Sequence, residues 1–223
     1  MNNYKSADAQ YREGTLGREI FPLMAGPSPH RKCYHVHKDL LCWYSPYFKK
    51  TLRGSFREAK ALKLILRDTE VAVLGVVVDW LYTQSLPEHD DPRIQACIGR
   101  WNEPITGVYI FSDRYDIPDL REHAMDDFYT YFTNDDGEDM PRYSVINTAF
   151  NNLPRSASLC RFCIDVYARY WSQDQDDEGE VTARADLPKD FLAGLMIESA
   201  EVMKHLVKTG SKPALPERCH YQE

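Results

Sequence analysis

Hydrophobic and polar positions near the start of the chain follow patterns that predict a small sheet. Residues 20–24 form a short apolar run, and the turn-forming segment 25–30 separates it from residues 33–36. This arrangement predicts a β-hairpin. Leu62, Leu64 and Leu66 are spaced by two, which predicts a further strand with one buried face.

Two short helices are predicted between the hairpin and that strand. Leu40, Leu41 and Tyr44 have helical spacing in the first. Ser45 can cap a second helix, and Pro46 suits its first position because the missing N–H would have no partner there. We expect the apolar side of this second helix to consist of Tyr47, Phe48, Thr51 and Leu52.

A longer helix is predicted to start near Glu70, with Asp68 and Thr69 offering caps. Gly75 inside it costs some helix stability. The expected buried stripe consists of Val71, Leu74, Val77, Val78, Leu81 and Tyr82.

Helical patterns dominate the rest of the chain. After a long connection over residues 84–103, one pattern covers residues 108–115 and another restarts at Pro118. A charged break at residues 134–139 is the candidate domain boundary, and three further helical patterns follow it. The predicted divisions are a polar arm, 1–18; an α+β domain, 19–133; a helical extension, 140–208; and a disordered tail, 209–223.

Composition narrows the possible functions. The 223 residues are 43% hydrophobic, which is enough to fill a core, and the formal charge is −7. A general nucleic-acid binder needs clustered Lys and Arg, so nucleic acid is not an expected partner. We also expect no membrane partner, because the sequence contains no membrane-length apolar run. The polar N-terminus lacks the core of a secretion signal, so we expect a cytoplasmic or nuclear protein with reduced cysteines.

Cys33, His35, His37 and Cys42 lie close together in the sequence and have the side chains that zinc prefers. A metal-binding protein is therefore an alternative from another functional class. Single-residue gaps are rare in structural zinc sites. We favour a structural His37, hydrogen-bonded where the strand turns into the helix.

Cys160 and Cys163 form a Cys-x-x-Cys motif, which in redox proteins follows a strand. Here the motif lies inside a strong helical pattern, so burial of Cys163 is favoured over redox chemistry.

The acidic segment from Asp174 to Gly179 is similar to a calcium loop. The twelfth position should supply a bidentate Glu, and it is Ala185. A solvated acidic loop is therefore favoured over a calcium site. No catalytic motif stands out either, so we predict no catalytic residue, no cofactor, no metal and no enzyme.

Several segments, in order, resemble the motifs of a BTB/POZ domain. Residues 34–41 resemble Phe-x-Val-His-Lys-x-Leu-Leu, and residues 45–48 resemble Ser-x-x-Phe. Residues 54–58 resemble Gly-x-Phe-x-Glu and residues 80–83 resemble Trp-Leu-Tyr-Thr. Residues 111–120 resemble Ala-x-x-Tyr-x-x-x-x-Leu, with Ser112 in place of the alanine.

The resemblance implies an α+β fold, in which a short β-hairpin and central strands pack with a helical cluster, followed by an all-α extension. The second half, with residues 187–192, resembles the extension of fungal members. The implied function is a non-enzymatic scaffold or adaptor for protein partners. Some members bring substrates to a cullin-type ubiquitin ligase, so a cullin is an implied alternative partner.

Phe56, Arg57 and Glu58 are the candidate partner-binding residues, because members that bind a cullin carry an apolar residue, any residue and then Glu before the central strand. The alternative is that Phe56 covers the core of its own domain. Self-association is also implied by the resemblance. Residues 1–18 lack the amphipathic helix of strand-swapped dimers, so we expect a monomer or a weak dimer.

Overall fold

In the described residues, a three-stranded mixed sheet forms around an apolar central strand. Strand β1 (Ile20–Ala25) pairs antiparallel with β2 (Lys32–His37) and parallel with β3 (Leu64–Leu66). Burial alternates along β1, where Phe21, Leu23 and Ala25 are buried. The predicted hairpin and the predicted third strand are confirmed.

The computed structural model of this chain describes residues 17–53, 63–88, 91, 102–134, 140–173, 176 and 178–222. These residues form two compact units. The sheet unit contains the described residues of Met1–Leu86 together with Phe111–Asp119. The helical unit contains the described residues of Pro87–Ile110 and of Leu120–Glu223. Within the described residues, none of the helices has the length and apolar character needed to span a membrane.

Three helices accompany the strands in the sheet unit: α1 (Lys38–Tyr44), α2 (Pro46–Arg53) and α3 (Val71–Thr83). The predicted pair of short helices is confirmed, since Ser45 separates α1 from α2 and Pro46 opens the second. Phe48 and Leu52 of α2 are buried as expected. The same prediction was wrong for Tyr47, which is exposed.

The hydroxyl of Ser45 is a buried hydrogen-bonding centre. It accepts the backbone N–H of Phe48 at 2.9 Å, which is the predicted helix cap. It also donates to the carbonyl oxygen of Tyr115 at 2.6 Å. The Ser45 side chain therefore caps the start of α2 and also binds Tyr115, which lies 70 positions further along the chain.

Two predictions for α3 need correction. Neither Asp68 nor Thr69 caps the helix, whose N-cap is Glu70 without a side-chain hydrogen bond. The carbonyl of Thr69 instead accepts the N–H of Gly26 at 3.1 Å, which ties the helix entry to the hairpin. Tyr82 is exposed, and the buried face consists of Val73, Leu74, Val76, Val77, Trp80 and Leu81. The sequence of α3 is apolar almost all round, so its periodicity could not select a face.

Gly75 has a packing role in α3. A Cβ at this position would lie 3.1 Å from the hydroxyl oxygen of Tyr34, closer than ordinary van der Waals contact. That hydroxyl donates to the carbonyl oxygen of Val71 at 3.1 Å. The absence of a side chain at Gly75 therefore lets a residue of β2 hydrogen-bond to the first turn of α3.

The remaining helices confirm the predicted all-α second half. Helix α4 (Asn102–Arg114) ends in the sheet unit, and α5 (Pro118–Asn134) starts at the predicted proline. The others are α6 (Tyr143–Asn152), α7 (Ser158–Tyr170), α8 (Glu178–Ala183) and α9 (Lys189–Thr209), with short 3-10 turns at Arg184–Asp186 and Arg218–Tyr221.

Aromatic packing joins α5 to α7 in the helical unit. Phe162 of α7 is fully buried. Phe128 and Tyr129 of α5 lie 5.7 and 5.6 Å from it between ring centroids. Tyr221, near the end of the chain, lies 5.4 Å from the same ring at an edge-to-face angle of 78°. Such pairs add stabilisation beyond the burial of their area.

A buried ion network joins Ala214 and Tyr221, near the end of the chain, to α7. The predicted disorder of residues 209–223 stays a prediction. Arg169 contacts Asp165 at 3.1 Å and Glu198 of α9 at 2.9 Å. Its Nε donates to the carbonyl oxygen of Ala214 at 3.2 Å. The hydroxyl of Tyr221 donates to Asp165 at 2.7 Å.

Replacing Ser45 with Ala should lower the free energy of unfolding by about 1–3 kcal/mol, because both the cap and a buried hydrogen bond are lost. Urea denaturation monitored by circular dichroism measures this change. Ser156→Ala, at an exposed serine, is the control and should change stability by less than about 0.5 kcal/mol. Equal stability of the Ser45 variant and the wild type would contradict the assigned role.

Candidate protein-interaction surface

Two exposed aromatic side chains flank the junction between α1 and α2. Trp43, near the end of α1, is 48% exposed, and Tyr47, in the first turn of α2, is 41% exposed. Ser45 lies between them and is fully buried. The junction is therefore anchored to the core while aromatic side chains on both sides of it face solvent.

Basic residues continue this surface along α2. Lys49, Lys50 and Arg53 are exposed and lie within about 100° of the helix circumference. Asp39 of α1 forms an ion pair with Arg53, which holds the guanidinium against the first turn of α1. We call Trp43, Tyr47, Lys49, Lys50 and Arg53 the aromatic–basic surface.

The position of Tyr47 is fixed by its aromatic neighbours. Its ring lies 5.4 Å from the ring of Phe48 and 5.4 Å from that of Tyr115, edge-to-face with both. Phe48 and Tyr115 stack on each other at an interplanar angle of 12°. The pKa of Tyr115 is raised above its ordinary value because the ring is buried, and a side-chain hydrogen bond with Thr69 opposes this rise. Tyr47 is therefore an exposed ring held by a packed aromatic base.

Sequence reasoning missed this surface because it treated aromatic residues as core. The spacing predicts Tyr47 on the apolar side of its helix and Tyr82 in a buried stripe, and it predicts nothing for Trp43. The position of Ser45 between Trp43 and Tyr47 was a usable signal. Trp43 and Tyr47 each lie two positions from Ser45, and helical positions two residues apart point about 160° away from each other.

His37 is a structural residue, as predicted. Its backbone N–H donates to the hydroxyl oxygen of Tyr82 at 3.1 Å, and its Nδ1 lies 2.8 Å from the same oxygen. Because the hydroxyl accepts the first hydrogen bond, its own proton is available for Nδ1, which corresponds to the tautomer protonated on Nε2. The pair joins the start of α1 to the end of α3.

The four residues of the metal alternative do not converge. Cys33 and His35 are exposed on β2, whereas Cys42 is buried in α1, where its Sγ lies 4.0 Å from the carbonyl oxygen of Phe48. In the part of the chain that the structure describes, no group of three or more His, Cys, Asp or Glu side chains is arranged to hold a metal ion.

Cys160 and Cys163 both lie fully buried in α7. Burial raises the pKa of the Cys163 thiol, and the proximity of Cys160 raises it further. A raised pKa disfavours the thiolate that redox exchange and zinc binding require. Cys163 therefore packs as a small apolar residue, as its helical position predicted.

Asp176 corrects the prediction of a solvated acidic loop. Its carboxylate accepts the hydroxyl of Tyr143 at 3.1 Å, Nε1 of Trp171 at 3.1 Å and Nε of Arg184 at 2.9 Å. Its side chain is only 5% exposed. The carboxylate is thus occupied by protein donors. Residues 174, 175 and 177, the other acidic-loop positions before Glu178, lie outside the described residues.

The predicted partner-binding residues Phe56, Arg57 and Glu58 also lie outside the described residues. Helix α2, with Arg53 at its end, precedes them in the chain. Their role as a cullin contact stays a prediction.

Comparison with known families identifies the first half of the chain. The family model of the BTB/POZ domain matches residues 27–131. Residues 27–131 form a BTB/POZ domain. The expected α+β class with a helical extension is confirmed.

Curated relatives match a short part of the chain. Human Kelch-like protein 30 is 44% identical over 50 residues, which is 22% of this chain and 9% of the human protein. Mouse Kelch-like protein 30 is 42% identical over 50 residues, with the same shares of both chains. This chain thus matches less than a tenth of either relative. Among solved structures, the BTB domain of human Gigaxonin has 18% identity and a TM-score of 0.35, covering 54% of this chain and 83% of that chain.

The BTB match lies inside the predicted segment 19–133. Its last helix, α5, packs with α7 in the helical unit. The ends of the BTB domain and the start of the extension at residue 140 stay predictions.

Tyr143 gives the helical unit a testable pH dependence. Burial and the Asp176 carboxylate raise the pKa of Tyr143 to about 12, above the value of about 10 for an unfolded tyrosine. Folding therefore favours the protonated hydroxyl, whose contribution is present below pH 10 and is lost as the pH rises to about 12. In Tyr143→Phe the free energy of unfolding should fall less steeply between those pH values than in the wild type.

Urea titrations at pH 8 and at alkaline pH measure this difference. Tyr170→Phe, at a tyrosine that is 44% exposed, is the matched control and should keep the wild-type slope. An unchanged slope in Tyr143→Phe would reject the hydrogen bond to Asp176 as its source.

Proposed function

We propose that this chain is a non-enzymatic adaptor that docks a protein partner on the aromatic–basic surface of its BTB domain. The observation that carries the proposal is the pair of exposed aromatics, Trp43 and Tyr47, on either side of the buried Ser45. Trp, Tyr and Arg are the residues most enriched at the energetic centres of protein interfaces. The surface contains all three.

The surface is organised before a partner arrives. Contacts with Phe48 and Tyr115 restrict the ring of Tyr47, and Asp39 restricts the guanidinium of Arg53. Binding then costs little side-chain entropy, because side chains that are already ordered lose few rotamers. This favours a docking role over a merely solvated helix pair.

Charge indicates the chemistry of the partner. The chain as a whole carries a formal charge of −7, yet the exposed face of α2 presents Lys49, Lys50 and Arg53. A partner with an acidic surface beside an apolar pocket would complement this face. We propose such a partner, and we propose that binding takes place in the cytoplasm or nucleus, where buried thiols stay reduced.

A cullin is our second candidate partner. Phe56, Arg57 and Glu58 follow α2 in the sequence and match the apolar-x-Glu pattern of cullin-binding BTB domains. In this proposal Phe56 enters an apolar groove of the cullin and Glu58 contacts its rim. The chain would then recruit a substrate to a ubiquitin ligase.

Replacing both Trp43 and Tyr47 with Ala should weaken binding of the main partner at least thirtyfold, because a central aromatic anchor contributes about 2 kcal/mol or more. Quantitative mass spectrometry after affinity purification from the native cell compares the wild type with this variant. Tyr170→Ala removes an equally exposed aromatic from the helical unit and serves as control. If both variants recover the same partners as the wild type, the aromatic–basic surface is not the docking site.

Phe56→Ala should weaken cullin binding about thirtyfold, since it removes about 2 kcal/mol of apolar contact. Binding of purified cullin to the folded chain measures this effect. Arg57→Ala is the matched control, because the middle position of the motif accepts any residue. A Phe56→Ala variant that folds and still binds the cullin as the wild type does would remove this candidate.

A further inference from the structure

A cleft in the helical unit is lined by residues of α7 and the segment before it, of α9, and of the 3-10 turn at Arg218–Tyr221. Its volume is about 640 Å³, which is within the usual range for small-molecule sites. Ile164 of α7 and Ile197 of α9 supply the apolar wall of the cleft. None of the described residues that line it belongs to the aromatic–basic surface, so the cleft is separate from the surface proposed for protein docking.

Arg155 lines this cleft from the segment before α7. A Cβ at Gly194 of α9 would lie 3.3 Å from Nη2 of Arg155 and would overlap the side chain of Ile164. The guanidinium of Arg155 therefore lies close to the backbone of α9. Arg155 has no hydrogen bond or ion pair through its side chain with any other residue that the structure describes, so its donors are available to a ligand.

Arg161 of α7 is the second arginine of the cleft. Its Nη2 donates to Oγ of Ser158 at 2.9 Å, and its guanidinium lies 5.9 Å from the ring centroid of Tyr221. These two neighbours fix its position. Its Nε is shielded from solvent and has no hydrogen-bond acceptor among the described residues. Buried donors without an acceptor are rare in native proteins, and an acceptor on a bound ligand would explain this one.

Two carboxylates also line the cleft, but both are already matched by protein groups. Arg169 contacts Asp165 at 3.1 Å and Glu198 at 2.9 Å. The hydroxyl of Tyr221 donates to Asp165 at 2.7 Å. Because the two carboxylates share Arg169, the other arginines of the cleft carry a surplus of positive charge. This surplus favours an anionic ligand.

We propose that the cleft binds a small organic phosphate monoester, with the phosphate held by Arg155 and Arg161 and the organic part against the apolar wall. Guanidinium groups bind phosphate oxygens through parallel hydrogen bonds. A phosphate monoester carries nearly two negative charges at neutral pH, which two arginines match better than they match the single charge of a carboxylate. Ser156 and His220 also line the cleft and offer further donors.

Isothermal titration calorimetry of the full chain with phenyl phosphate tests the proposal. One molecule should bind per chain, at least tenfold more tightly than inorganic phosphate, because the ring adds apolar contact with Ile164 and Ile197. Benzoate has the same ring with a single charge and should bind more weakly than phenyl phosphate. Absence of phenyl phosphate binding, equal affinity for inorganic phosphate, or tighter binding of benzoate would overturn the proposal.

Two variants at exposed positions locate the binding. Arg155→Ala removes one phosphate ligand, and Ile197→Glu places a carboxylate in the cleft, so each should weaken phenyl phosphate binding about tenfold. Arg67→Ala, at an exposed arginine of the sheet unit, and Met196→Glu, at the position next to Ile197 but outside the cleft lining, are the matched controls. Wild-type affinity in both cleft variants, or an equal loss in the controls, would reject the site. Thermal melting checks that each variant keeps its fold.

A phosphorylated side chain of another protein carries the same chemical group. The volume of the cleft, typical of small-molecule sites, indicates a free ligand. A short phosphotyrosine peptide should therefore bind within about threefold of phenyl phosphate, since residues on either side of the phosphotyrosine would gain no contact. Binding of the peptide at least tenfold more tightly would overturn the assignment to a small molecule and indicate a phosphoprotein.

Discussion

The buried hydroxyl of Ser45 is the constraint on which the sheet unit depends. It accepts the N–H of Phe48 and donates to the carbonyl of Tyr115, so it satisfies polar groups from two distant parts of the chain. Loss of either partner would leave a buried polar group without compensation, which is costly. Trp43 and Tyr47, two positions away on either side of Ser45, are exposed. The helix cap and the candidate surface therefore lie at the same junction.

Arg169 has the role in the helical unit that Ser45 has in the sheet unit, because its side chain binds groups from distant parts of the chain. A buried guanidinium is tolerated only when its charge and its donors are matched, and here Asp165, Glu198 and the carbonyl of Ala214 match them. These partners belong to α7, to α9 and to the segment after α9. The network fixes one face of α9, and the exposed side chains of Leu192 and Met203 lie on another. A helix can thus be anchored firmly and still present an apolar surface.

Much of the fold could be predicted from local patterns. The errors concern burial, which depends on contacts between residues distant in the chain. The hairpin, the third strand and the helix that restarts at Pro118 all follow from spacing of apolar residues and from turn or cap chemistry. The buried face of α3 could not be predicted, because apolar residues surround that helix almost completely. The contacts of Ala214 and Tyr221 could not be predicted either, because their partners Arg169 and Asp165 lie 45 and 56 residues away. Of the candidate surface, only the helix pair was predicted.

The sequence by itself determined the type and order of the elements and the BTB character of the first half, because periodicity and caps act between residues close in the chain. Only the tertiary structure decided which aromatic residues are exposed and which polar groups are buried. Those outcomes depend on partners far away, such as Tyr115, 70 residues from Ser45, and Tyr221, 56 residues from Asp165. Burial is a property of both partners together, and no local pattern contains the second one.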